Sequence, residues 1–305
     1  MWIRIYMRKL LILSTFLLYL SGCSDLGSIP YSPRYTPVSW LTIQPSVAVN
    51  NGPIDFILVQ PSSTVFVYLL GIITISVGLY FLRIRDIHQS RRWWGIALLL
   101  WGIGSLLAGT SYQAFSYEIK CAGQEFCSWT SWWEIAYLLL SVASVDAMMV
   151  AEAYSCHAGK WRKVLKTYAF VNIAFYIFVV LIGVISLNKF LISFELLLIV
   201  AAPNILIFFV LNGWRYYKYR DSMDLALFIT WGWLGITIAG YFLYLILDIT
   251  HTLWVRGIWF SENDVLHIGL MIWMIYIAVI LANRIVDRPT ADSVQEVNDR
   301  PKSRT

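Results

Sequence analysis

Six side chains able to bind ligands or move protons sit in apolar surroundings: Gln113, Glu134, Asp146, Glu195, Asn263 and His267. Among those toward the N-terminal side, Glu134 and His267 are the candidate metal ligands, a carboxylate and an imidazole, with zinc the candidate metal. Asn263 and His267 are four residues apart, which puts them on one helix face. Polar groups cut off from water also hydrogen-bond across helices for purely structural ends. For Gln113, Asn263 and His267 both readings stand, a polar pocket for a ligand or metal and helix–helix bonding. Asp146 and Glu195 lie deeper in their apolar runs and suit a buried function or paired hydrogen bonds. Glu152 falls near the end of a run and is expected to be solvated. A single histidine is thin support for catalytic zinc, which normally keeps three protein ligands. His88, His157 and His251 fall in separate connecting segments and do not obviously converge on it.

The elements that must position these groups are membrane helices. The chain has 305 residues, 59% hydrophobic and 13% charged, against about 25% charged in a soluble domain. Crossing the hydrocarbon takes about 20 apolar residues. Runs of that length lie at roughly 63–82, 94–114, 133–155, 167–187, 190–213, 225–247 and 264–286. The expected fold is therefore an all-α seven-transmembrane-helix bundle, a polytopic membrane protein with its spans in residues 63–286. Basic residues set its direction. Arg83, Arg85, Arg91 and Arg92 occupy one connection, Lys160, Arg162, Lys163 and Lys166 the third, Arg215, Lys218 and Arg220 the fifth, while the alternate connections hold only Lys120, Lys189 and Arg256. Positive loops stay inside, so the N-terminus is expected outside and the C-terminus in the cytoplasm. Paired aromatics such as Trp93 with Trp94, or Trp132 with Trp133, are expected at the headgroup boundaries.

The first residues agree with that direction. Met7-Arg8-Lys9 precedes an apolar stretch from Leu10 to Leu20, too short to span, that ends in Leu20-Ser21-Gly22-Cys23. This tetrapeptide resembles the bacterial lipobox. The resemblance implies a lipoprotein signal peptide at 1–22, a diacylglyceryl group on Cys23 and placement in the bacterial cytoplasmic (inner) membrane. Residues 23–62 hold six of the nine prolines and are expected to form an extracytoplasmic extended tether, poor at building a core. Cys121 and Cys127 share an outer connection and are expected to form a disulfide there. Cys156 is expected as a free thiol at the cytoplasmic end of the third span. The short polar tail, 287–305, is expected to be disordered.

Seven spans with a polar cluster at the N-terminal side resemble the membrane hydrolase superfamily of alkaline ceramidases and progestin/adipoQ receptors. In that superfamily a serine and histidine late in the second span, an acid early in the third and two histidines in the seventh serve a zinc ion whose water attacks a lipid amide. The matching positions here are Gly109 and Gln113, Glu134, and His267 with Asn263 or Met271 four residues to either side.

Two functions follow. One is a non-catalytic sensor, scaffold or lipid-binding module using the outward polar pocket; its partners are membrane lipids and another membrane protein. The other is a metal-dependent lipid amide hydrolase with Glu134, His267 and Asp146 about the metal. An odd span count without inverted repeats gives no support to a transporter. The seventh span has no lysine for a retinal Schiff base, and neither a Walker loop nor zinc-finger spacing points to nucleotide or nucleic acid.

Overall fold

The computed structural model describes residues 26–51 and 54–288. The lipobox with Cys23, and the tail after Arg288, lie outside the described residues. Seven helices are long and apolar enough to cross a membrane: Pro61–Arg83, Gln89–Ala114, Trp132–Cys156, Gly159–Ile185, Phe194–Tyr219, Ser222–Ile246 and Glu262–Arg284, the first to seventh spans below. The all-α seven-helix bundle is present. The fourth span departs most from its expected bounds and starts earlier, at Gly159, because the basic stretch Lys160 to Lys166 is already helical. Long basic side chains tolerate that position by reaching toward the headgroups.

The spans form a closed ring in the order first, second, third, fifth, sixth, seventh, and the fourth packs outside it against the third. Aromatic side chains fill the middle. Trp231 stacks on Phe208 at 4.2 Å between ring centroids and on Trp94 at 5.7 Å, and Trp273 links Trp231 to Trp101. Offset aromatic contacts of this kind add about 0.5–1.5 kcal/mol each beyond area burial. The centre is a packed core. Trp94, expected at the headgroup boundary, is fully buried in it, because it points across the ring to Trp231 of the sixth span rather than out to lipid.

Glycines set the closest contact. Gly71 and Gly78 on the first span face Gly102 and Gly95 on the second, all at seven-residue spacing. A Cβ on Gly78 would meet the Gly95 carbonyl oxygen and the Leu99 amide nitrogen at 3.0 Å. Small residues let two backbones approach this closely where lipid supplies no hydrophobic drive between helices.

The segment expected as an extended tether is folded over its described length. A helix at Pro37–Thr42 is closed by a capping box between Thr36 and Ser39, and strands β1 (Ser46–Asn51) and β2 (Ile54–Val59) pair as an antiparallel hairpin. Trp40 and Val59 bury themselves against the disulfide between Cys121 and Cys127. Two of the described prolines mark helix starts. Pro37 opens the short helix and Pro61 the first span, positions where the missing N–H is no loss. The cap is tied down by backbone bonds from Cys127 to Tyr35 and from Trp129 to Ile29, and by Lys189 donating to the Pro30 carbonyl.

Gly102→Ala places a methyl 2.9 Å from the Ile75 amide nitrogen. It should destabilise the protein in detergent by about 1–3 kcal/mol, the usual cost of overpacking. Gly235→Ala, whose Cβ would meet nothing within 4 Å, should leave thermal unfolding unchanged.

Candidate functional site

The six sequence candidates do not form one site. Glu134 and Asp146 lie twelve residues apart on the third span, about 18 Å along the helix. Glu195 belongs to neither. The fifth span begins at Phe194, capped by Ser193, so Glu195 sits exposed in the first turn rather than deep in the bundle. Gln113, Glu134, Asn263 and His267 all occupy the end of the bundle that carries the cap.

At that end two carboxylates are already engaged. Glu134 is buried and ion-paired with Lys120, which the short helix Ser116–Lys120 presents next to the disulfide. Ser111 Oγ donates to Glu134 Oε1 at 2.8 Å and lies 2.8 Å from Ser131 Oγ. Lys120 also reaches Tyr31 Oη at 3.4 Å and lies 4.9 Å from the Tyr112 ring centroid. Burial pulls the Lys120 pKa down, but Glu134 with Tyr31 outweighs it and the net shift is upward from 10.5. The ammonium is therefore charged throughout the neutral range.

Asp264 is closed in the same way. It accepts from Ser62 Oγ at 3.1 Å and Ser63 Oγ at 2.8 Å on the first span, and from the Ser261 backbone N–H at 2.6 Å. This both caps the seventh span and staples it to the first. Polar atoms are also left over here, among them Gln60 Oε1 at the start of the first span. Gln113 Oε1 and His267 Nδ1 are buried with no hydrogen-bond partner. Gln113 stands in a π-helical turn, Gly109–Ala114, that ends the second span, and π-turns within helices concentrate at functional positions. Asn263 is half-buried beside Asp264.

These residues do not fit a zinc ion. Both partners of Glu134 are donors from its own chain, Gln113 supplies an amide where an imidazole would be needed, and among the described residues no group of three or more His, Cys, Asp or Glu is placed to hold a metal.

Deeper in the membrane, Asp146 accepts from Asn204 Nδ2 at 2.9 Å and from Asn172 Nδ2 at 3.0 and 3.2 Å. Glu152, expected to be solvated, is fully buried. It accepts from Trp231 Nε1 at 3.0 Å, Asn212 Nδ2 at 3.1 Å and Cys156 Sγ at 3.1 Å. Beside it Arg215 grips Asp224 through two bonds and donates to the Cys156 carbonyl. The signal for these partners was present in Asn172, Asn204 and Asn212, three amides inside apolar runs, each an obligatory hydrogen-bonding group in lipid.

Residues 63–283 match a family described as a family of unknown function, DUF6962. The chain belongs to that family. No curated protein and no solved structure matches it. The matched residues contain Glu134, Asp146, Glu152 and Asp264 with nearly all their partners, whereas the N-terminal part of the cap, residues 26–60, and the segment after the seventh span fall outside them.

Lys120→Met should destabilise the protein by about 3–5 kcal/mol, because it strands a buried carboxylate. Adding Glu134→Gln should recover most of that loss, as measured by thermal unfolding of single and double variants. The raised Lys120 pKa has a defined sign. Its contribution is complete below the unfolded value of 10.5 and fades only as pH rises through the higher folded value, so the pair should be insensitive to pH across the neutral range.

Proposed function

We propose that this integral membrane protein is a non-catalytic lipid-binding sensor whose ligand end is the capped one. The observation that carries the reading is the contrast at that end. The acids, Glu134 and Asp264, are satisfied within the chain, while Gln113 Oε1 and His267 Nδ1 are buried and unpartnered. An engaged carboxylate is poorly placed to activate water, but two leftover polar atoms among apolar helices suit the hydrogen-bonding end of a lipid. Buried polar groups normally have partners, and leaving one without costs about 1–3 kcal/mol.

The proposed setting is the bacterial cytoplasmic membrane, with Cys23 lipidated, the cap outside and the C-terminal tail in the cytoplasm. Support comes from the lipobox resemblance and the loop charges, and from the disulfide lying in the cap, where an oxidising compartment would let it persist.

Gln113→Leu with His267→Leu tests the reading on the full chain. The double variant should unfold at higher temperature and lose co-purifying lipid in native mass spectrometry. Stoichiometric zinc in the wild type that disappears in His267→Ala would overturn the proposal and favour the metal-dependent hydrolase. For the setting, a C-terminal reporter should behave as cytoplasmic, and Cys23→Ala should abolish labelling by a lipid precursor.

A further inference from the structure

Asp146 lies near the middle of the third span, Asn172 at the middle of the fourth and Asn204 near the middle of the fifth. All three are thus at mid-depth in the hydrocarbon, where an ionisable side chain is costly and usually marks an ion or proton pathway. Asp146 is 3% exposed and Asn204 0%. The amides of both asparagines turn their N–H groups to the carboxylate, and Asn204 Oδ1 is left buried without a partner. Pro203, the residue before Asn204, removes the backbone hydrogen bond to the Ile199 carbonyl at the same level.

We propose that Asp146, Asn172 and Asn204 form an intramembrane proton-binding site. The groups presented to the carboxylate decide for the proton over a metal cation. Amide N–H dipoles repel a cation, which would need their oxygens instead. A proton needs only one amide to turn over. With Asp146 ionised, Asn204 Nδ2 donates to Oδ1. With Asp146 protonated, rotation of that amide by half a turn lets the new O–H donate to Asn204 Oδ1, the atom now unpartnered. The step is a plain transfer, carboxylate plus hydronium giving carboxylic acid plus water.

The site opens on one side toward the lipid, the direction from which an apolar reagent approaches. The fourth and fifth spans both pack on the third but scarcely on one another, and Asn172 is only half-buried between them. Tyr176, one turn from Asn172 on the same helix face, is buried with its hydroxyl unpartnered. The titratable group set electrostatically against Asp146 is Tyr168 of the fourth span. Residues 93–111 of the second span and 196–214 of the fifth contain none, and the nearest acid on the third is Glu152, six residues on. The ion pairs at the two ends of the bundle therefore do not dominate its protonation.

Two measurements on the full chain in lipid nanodiscs test the site, and neither depends on the outer-end reading. Dicyclohexylcarbodiimide reacts with protonated carboxyls in apolar surroundings. Peptide mapping should place its adduct on Asp146, with labelling that falls severalfold as pH rises and is indifferent to sodium. Infrared difference spectra across the same titration should show the carbonyl stretch of a buried carboxylic acid. That band should vanish in Asp146→Asn, shift in Asn204→Ala and survive in Glu152→Gln. Labelling absent at every pH, protection by sodium at fixed pH, or a band that persists in Asp146→Asn would each overturn the proposal. The labelling arm uses wild-type protein, so a variant that fails to fold leaves the test intact.

Discussion

A carboxylate withdrawn from water must find donors on another segment, and the third span meets that demand three times. Glu134 takes its donors from the second span and the cap, Asp146 from the fourth and fifth spans, and Glu152 from the fifth and sixth. Between lipid-facing helices there is little hydrophobic drive, so such bonds and close packing hold the bundle together. Glu134 and Glu152 are eighteen residues apart, about five full turns, and so share one stripe of the helix. Asp146 points about a third of a turn away, toward the helix outside the ring. One span thereby fixes the position of four others at three depths.

The end opposite the cap is secured by a segment that follows the last span. Asp287 accepts from the backbone N–H groups of Gln89 and Ser90 at 2.8 Å each, supplying from a distance the cap that His88 does not provide. Arg91 returns a bond to the Ile285 carbonyl. Arg288 donates its backbone N–H to Tyr154, pairs with Asp221 and accepts from Arg162 through its carbonyl. A carboxylate on a helix N-terminus gains from both the free N–H groups and the helix dipole. Four residues thus join the ends of four spans.

What was legible in the sequence is what the bilayer imposes locally. Hydrocarbon thickness demands seven apolar runs of spanning length, and an outer pair of cysteines six apart has few partners but each other. Pairings across the ring were not legible, because they depend on which spans are neighbours. Asn204 meets Asp146 only because the fourth span stands outside the ring and lets the fifth touch the third. Glu152 read as solvated from its place near a helix end, since nothing local shows that Trp231 and Asn212 will cover it. The proline-rich segment read as extended for a similar reason: its packing surface, the disulfide loop, lies some seventy residues further along the chain.

These constraints leave the molecule unequally stiff. Stacked indoles and the Asp287–Arg288 segment hold the half away from the cap, and glycine contacts lock the first span to the second. At the capped end the Lys120–Glu134 pair ties the cap to the third span, and the serines on Asp264 tie the first span to the seventh. The fourth span stands apart from the ring. It touches the rest of the bundle mainly along the third, faces lipid over much of its length, and contributes Asn172 as its polar anchor at mid-depth. Where Asp146 is ionised that anchor is strong, since a bond to an ionised group is roughly twice as strong as one between neutral partners. Neutralising Asp146 therefore weakens the polar hold on a helix whose packing lies mainly along the third span.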